Sequence, residues 1–285
     1  MRKLRLAIQK SGRLHDDSMA LLKEVGISIN NGKDQLKASA RNFPLEVFYL
    51  RNSDIPQYLV DGVVDAAIIG ENILFEKAPN IKLTEKLGFS KCRVSVAVPK
   101  NSSITSFEEL QGKRIATSYP NTVNSFLEKN GIKASLHLIN GSVEIAPNIG
   151  LADAICDIVS SGSTLFKNNL TEIEVLFKSE AGLAISPMMP EAASSIFERF
   201  QFRIKSVLKG RQSKYVLLNA PNDKIHTISS ILPGMKSPTV LPLAEEGWSS
   251  LHSVIDKNDF WEIIDELKAN GAEGILVCPI ENMIM

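Results

Sequence analysis

No stretch of this 285-residue chain approaches eighteen consecutive apolar residues, which excludes a membrane-spanning helix. The opening Met1-Arg2-Lys3-Leu4-Arg5-Leu6-Ala7-Ile8 turns polar too soon for a secretory leader, so the chain is expected in the cytoplasm. Cysteine is scarce. The three present (Cys92, Cys156, Cys278) are far apart, odd in number and without a CxxC pair, which argues against a disulfide framework or a zinc site. They are expected to be small buried hydrophobes. An excess of either charge is also lacking, with 32 Lys plus Arg against 32 Asp plus Glu. No global field draws the chain to nucleic acid or to a membrane surface, so an anionic ligand must be caught by a local set of donors. The four histidines (His15, His137, His226, His252) sit in no catalytic motif, and neither repeats nor low-complexity linkers occur.

What is present is ordinary globular composition, 44% hydrophobic and 22% charged, over a length that suits two or three compact units. Leu4, Leu6 and Ile8 alternate as in a strand. A polar turn and a helix through Met19, Leu21, Leu22 and Val25 follow, with Asp16 or Asp17 as cap and Gly26 as stop. Val47–Leu50 reads as extended, and a helix near Asp54–Val60 has Asp54 placed to cap it and Pro56 in its first turn. Val63–Ile69 is an apolar run expected of a strand covered on both faces. This alternation implies a parallel sheet. A second unit begins near Arg93–Val98, with a capping box at Ser106–Glu109 and strands at Arg114–Thr117, Ala134–Ile139, Ala154–Val159 and Glu172–Lys178. A helix spans Asn121–Asn130, and a long one from Pro190 to about Leu208 is expected to return the chain to the first unit. The tail reads strand, helix, strand, strand, helix, strand, the order of the ferredoxin-like split βαβ unit. Trp248 and Trp261 are expected to be packing residues.

One segment has a chemical reading of its own. In Asp153-Ala154-Ile155-Cys156-Asp157-Ile158-Val159-Ser160-Ser161-Gly162-Ser163-Thr164-Leu165 an apolar strand delivers the chain to a Ser/Gly/Thr turn, and a helix can begin near Ser163. Such a turn offers successive amides and hydroxyls to one phosphate, helped by the positive end of a helix. Gly162 permits a conformation and a close approach that a side chain would block. Asp157, just upstream, is placed to accept hydrogen bonds from vicinal ribose hydroxyls. An ordinary strand-to-helix turn with a serine cap is the plain alternative.

This segment resembles the PRPP-binding signature of the ATP phosphoribosyltransferases, the first enzymes of histidine biosynthesis. Further segments resemble the same family in order: Gln9-Lys10-Ser11-Gly12-Arg13-Leu14, Asp54-Ile55-Pro56, Asp61-Gly62-Val63-Val64-Asp65, Ile69-Gly70-Glu71-Asn72, Arg114–Pro120 and Gly141-Ser142-Val143-Glu144. The tail, with Ser213-Lys214-Tyr215 and Pro238–Leu243, resembles the extra domain of the family's long form. The resemblance implies an α/β fold with a two-lobed, periplasmic-binding-protein-like body and a C-terminal ferredoxin-like, ACT-like domain. The expected division is 1–92 with a return segment 186–211 for the first lobe, 93–185 for the second, and 212–285 for a histidine-binding regulatory domain. It implies attack of adenine N1 of ATP on C1 of PRPP, release of diphosphate, a requirement for Mg²⁺, and a homo-oligomer exchanging between dimer and hexamer.

Residue roles are expected on that basis. Lys10, Arg13 and Glu144 are candidates for catalysis. Asp153, Asp157, Ser160, Ser161, Gly162, Ser163 and Thr164 are candidates for PRPP, and Ser11, Gly12, Arg51, Asp54, Gly70 and Glu71 for ATP. Thr239 and Leu241 are candidates for a histidine site, and no set of metal ligands is assigned, Mg²⁺ being expected to ride mainly on PRPP. Asp153 has a second reading as a local cap or pair. A neutral ring nitrogen as nucleophile needs no Ser-His-Asp arrangement, so catalysis is expected from positioning two polyanions and neutralising their charge. Two other readings stay open on the residues: a cytosolic small-molecule sensor with a two-lobed cleft and no catalysis, and a phosphoribosyltransferase for another base.

Overall fold

The computed structural model describes residues 2–29, 36–78, 80–232, 234 and 237–284. In chain order its first elements are β1 (Leu4–Gln9), α1 (Arg13–Glu24), β2 (Lys37–Ser39), β3 (Leu45–Leu50), α2 (Ile55–Val60), β4 (Ala66–Gly70), α3 (Glu71–Lys77) and β5 (Lys82–Lys86). There follow β6 (Cys92–Pro99), β7 (Arg114–Thr117), α4 (Pro120–Lys129), β8 (Ser135–Leu138), β9 (Ala154–Val159), α5 (Ser163–Lys167), β10 (Leu170–Ser179) and β11 (Ala181–Ile185). The last are α6 (Glu191–Gln212), β12 (Ser213–Pro221), α7 (Ile225–Ile231), β13 (Thr239–Pro242), β14 (Trp248–Asp256), α8 (Phe260–Ala269) and β15 (Glu273–Pro279). They form two compact units, Met1–Phe197 and Glu198–Met285.

The first unit holds two sheets, ordered β2-β3-β1-β4-β11-β5 and β10-β6-β9-β7-β8. β1 runs parallel to both β3 and β4, and β7 runs parallel to both β8 and β9. The inner strands β1 and β4 are covered on both faces: Leu4, Leu6, Ala7, Ile8 and Ala66–Ile69 are all fully buried. The chain passes between the sheets twice, from β5 to β6 and from β10 to β11. The two passages bond to each other, Leu87 N to Ala181 O at 2.9 Å and Ala181 N to Phe89 O at 3.0 Å. Each sheet thus forms a lobe, and the doubled passage forms the floor between them.

Several local expectations shift. The run from Val63 becomes strand only at Ala66, because Val63 and Val64 first close a turn onto the Tyr58 carbonyl at 3.0 and 3.2 Å. Helix α1 starts at Arg13 with Gly12 at its N-cap, so Asp16 lies within the first turn and is not the cap. Asp54 occupies the N-cap of α2 but makes no capping bond; its carboxylate accepts from the Ser53 hydroxyl at 2.9 Å. At Ser106–Glu109, Glu109 accepts from the Thr105 amide at 2.6 Å, and a single 3₁₀ turn follows. Of the cysteines only Cys156 is buried; Cys92 is half-buried and Cys278 exposed.

The second unit contains the sheet β13-β14-β12-β15, antiparallel throughout. Helices α7 and α8 contribute Ile228, Phe260 and Leu267 to one apolar cluster with Val216, Leu218, Leu251 and Ile255 of the strands. This is the ferredoxin-like order expected of the tail. Trp261 does not pack into that cluster: it is 75% exposed. Within the unit, Gly210 of α6 lies under the chain end, where an added Cβ would stand 2.7 and 2.8 Å from the carbonyl oxygens of Ile280 and Glu281. Helix propensity favours Gly210→Ala by about 1 kcal/mol. The backbone collision outweighs it, so we expect the substitution to lower stability by about 1–3 kcal/mol, measured as a drop in the denaturation midpoint. A rise would remove the close contact.

Candidate functional site

The carboxyl ends of β1, β4 and β9 meet at a cleft of ≈ 600 Å³ between the two lobes, the place where open α/β sheets hold ligands. The first lobe supplies Gln9, Arg13, Leu14, Asn52, Gly70 and Asn72; the second supplies Glu144, Asp157 and the whole turn Ser160–Leu165.

The turn has the form its sequence suggests. Gly162 adopts φ +80°, ψ −1° at the N-cap of α5, whose first full turn closes with Phe166 N to Gly162 O at 3.0 Å. Its missing Cβ would point into open space, with no protein atom within 4 Å. The Ser161 hydroxyl donates to Ser163 Oγ at 3.1 Å, so the turn is braced from within. Two arginines hold its entrance. Arg13 donates to Ser160 Oγ at 3.1 Å across the cleft, and Arg93 donates to the Ser160 carbonyl at 3.1 Å while bonded to Glu172 at 2.8 Å.

Asp157 lines the cleft beside this turn. Burial pushes its carboxyl up to about 6; the Ile158 amide, donating to its Oδ1 at 2.8 Å, opposes that, and the nearby Glu144 charge adds to it. Glu144 is presented by a short 3₁₀ turn that follows Ser142, itself in the left-handed region at φ +51°. Two acidic side chains therefore face one cavity, and a ligand bringing hydroxyl donors or a cation relieves their repulsion. Among the described residues no group of three or more His, Cys, Asp or Glu converges as a metal site.

The remaining sequence candidates fall in different places. Gly70 lines the cleft, and a side chain there would collide with Asn72 Oδ1. Glu71 lines an adjoining recess of ≈ 360 Å³ and pairs with Lys86 at 3.0 Å. Lys10, Ser11, Gly12, Arg51 and Asp54 are close in sequence to cleft residues but do not line the cavity. Asp153 does not line it either: its carboxylate is taken by Arg114, from the main-chain amide at 2.9 Å and the guanidinium at 2.8 Å. Thr239 and Leu241 sit on the exposed edge strand β13, opposite His252 and Ser250. Sequence reading missed Asn52, whose buried Oδ1 has no hydrogen-bond partner at the cleft wall, and Asn72, which donates to the Tyr119 hydroxyl at 2.8 Å. Burial raises the Tyr119 phenol far above its ordinary value, so it stays protonated, with the Asn72 bond and nearby acids as smaller influences.

Two α/β lobes joined by a doubled passage, with a glycine-hinged hydroxyl turn facing a basic side chain over a cleft, define the class of two-lobed α/β bodies. Known proteins narrow this class. The family model described as ATP phosphoribosyltransferase matches residues 51–206, and that of its C-terminal domain matches 210–282. Proteins named ATP phosphoribosyltransferase from Cytophaga hutchinsonii and Phocaeicola vulgatus are 56% and 52% identical. The alignments cover 99% of this chain and 98% and 100% of theirs. A solved ATP phosphoribosyl transferase (HisG:HisZ) complex from Thermotoga maritima matches with a TM-score of 0.60 and 32% identity, over 71% of this chain and 98% of that one. The chain belongs to the ATP phosphoribosyltransferase family, enzymes of the first step of histidine biosynthesis.

Proposed function

We propose that this enzyme transfers the 5-phosphoribosyl group of PRPP to N1 of ATP, giving N1-(5-phosphoribosyl)-ATP and diphosphate, with histidine as feedback inhibitor. The observation that carries the reading is the pairing of Asp157 with the Ser160–Thr164 turn on one cleft wall. The amides and hydroxyls of Ser161–Thr164 receive the 5′-phosphate, and Asp157 accepts from the ribose hydroxyls. The C1–O bond to diphosphate breaks as C1 bonds to adenine N1, so positive charge grows on the ribose ring and negative charge on the leaving group. Asp157 and Glu144 face the first of these charges; Arg13 faces the second. Mg²⁺ would supply further neutralisation of the diphosphate when it arrives on PRPP, with Asp157 and Glu144 the carboxylates lining the cleft to orient it. Gly70 and Asn52 on the opposite wall border the space left for ATP.

The same reading extends to the tail, Arg13's neighbours and the assembly. Lys10, Ser11, Gly12, Arg51, Asp54 and Glu71 border the ATP side, reaching a bound nucleotide from outside the cavity. Residues 212–285 form the regulatory domain, with histidine bound near Thr239 and Leu241 in a cytoplasmic dimer that histidine converts to a hexamer. Among the described residues no helix is long and apolar enough to cross a membrane. The test mixes enzyme, ATP, PRPP and Mg²⁺ and follows diphosphate release. We expect turnover that falls when histidine is added. Absence of turnover by intact protein would overturn the reaction, and turnover insensitive to histidine would overturn only the regulatory part.

A further inference from the structure

Helix α3 belongs to the first lobe, yet its buried polar side chains, Asn72 and Glu76, bond to the second. Glu76 is 5% exposed, and its carboxylate accepts from the main-chain amides of Asn121 at 3.0 Å and Thr122 at 2.8 Å, and from the Thr122 hydroxyl at 2.8 Å. Asn121 Nδ2 returns a bond to the Glu76 carbonyl at 2.9 Å. These amides open α4, whose own N-cap residue, Tyr119, provides no side-chain cap. A helix start leaves its first amides without intrahelical partners, and a carboxylate there is favoured by both hydrogen bonding and the helix dipole. The cap that α4 lacks in its own lobe is thus delivered by Glu76 from the other. Asn72 one turn earlier donates to Tyr119, and the Phe75 ring packs tilted against Phe177, centroids 5.1 Å apart.

The clasp leads directly to the cleft. Tyr119 N donates to Thr117 Oγ1 at 2.8 Å, and the Thr117 hydroxyl donates to the Cys156 carbonyl at 2.7 Å, one residue before Asp157. At its other end α3 begins where Gly70 and Asn72 form the opposite wall. We propose that Glu76 is a positioning residue that fixes the separation of the two cleft walls, and with it the approach of the acceptor base to the ribosyl carbon. The proposal rests on the function above, in which the phosphoribosyl group of PRPP is held by the second lobe, Arg13 of the first faces its diphosphate, and ATP is met by the first. Loosening the clasp should cost PRPP capture far less than turnover, because Asp157 and Ser160–Thr164 lie on one lobe and only exposed Arg13 reaches PRPP across the cleft, while the reaction between lobes is misaligned. Effective molarity is steeply sensitive to such misplacement.

The experiment compares wild type with Glu76→Gln, an isosteric change that keeps one acceptor and turns the other oxygen into a donor facing an amide. Thr122→Val, also isosteric, repeats the test from the far side. We expect kcat to fall by roughly 10–100-fold while the dissociation constant for PRPP alone stays within about twofold, and Glu76→Asp to recover part of the loss. A folded variant of either kind with kcat unchanged would overturn the proposal, and so would a PRPP affinity that falls in step with kcat. Failure of the wild type to turn over would strike the functional reading instead.

Discussion

Asp157→Asn should lower kcat/KM for PRPP by roughly 10²-fold or more while raising thermal stability at pH 8. The loss follows from the hydrogen bonds that an ionised carboxylate makes to two hydroxyls, each worth about 1.5–3 kcal/mol for a charged acceptor, with 1.4 kcal/mol corresponding to tenfold in rate. The gain follows from what burial does to the carboxyl. Its value in the folded chain is about 6, against 3.8 for the exposed group. Between those two values the folded state holds a proton that the unfolded chain has released, so stability falls as pH rises through the interval. Above pH 6 the penalty is complete, about 2–3 kcal/mol. Asparagine carries no charge and escapes it. The melting temperature of the variant should therefore exceed that of wild type by roughly 5 °C at pH 8, and the difference should vanish near pH 4. In wild type, kcat/KM for PRPP should climb with pH through about 6, and the variant should lack that limb. Equal stability at pH 8 would show that the carboxyl is not held under strain. Unchanged kinetics would remove it from the site.

The candidate site could be seen in the sequence while much of its frame could not. The cradle is local: strand, hydroxyls, glycine and acid lie within twelve residues, so one segment states its chemistry. The tail was equally legible because each strand and helix carries its own period and its own stop. Contacts between lobes had no such signal. Arg13 read as a loop cation, but its partner Ser160 lies 147 residues further on. Glu76 could only look like a surface charge, since the helix it caps begins 44 residues later in another sheet. Helix α3 itself escaped because it has seven residues, starts on Gly70 without a capping side chain, and places Ile73, Leu74 and Phe75 in a row that fits no helical stripe. Strand β11 escaped for a different reason. Ala181, Gly182 and Ala184 have little strand preference, and their strand exists because the β4 and β5 edges flank it. Asp153 shows the converse, a carboxylate with the right spacing for the site whose charge Arg114 had already claimed.

Gly162 separates conformation from access, and three substitutions there should give three outcomes. At φ +80° a β-branched residue is strained, so Gly162→Val should lose about 1–3 kcal/mol of stability and also fill the space above the turn. Its KM for PRPP should rise by roughly 10²-fold, the equivalent of losing two or so phosphate contacts. Asparagine tolerates the left-handed region several-fold better than most residues. Gly162→Asn should therefore melt close to wild type and yet bind PRPP nearly as poorly as the valine variant, because its side chain projects into the same empty space where no protein atom lies within 4 Å. Gly162→Ala should fall between, with a small loss of stability and a KM raised by about tenfold. The decisive comparison is the asparagine variant. If it used PRPP as well as wild type, the glycine would be serving only the backbone, and the phosphate would have to be seated elsewhere in the cleft. If it folded normally and failed on PRPP alone, with ATP affinity unchanged, the phosphate would have to pass within a side chain's reach of residue 162, which is where the amides of Ser163 and Thr164 open helix α5.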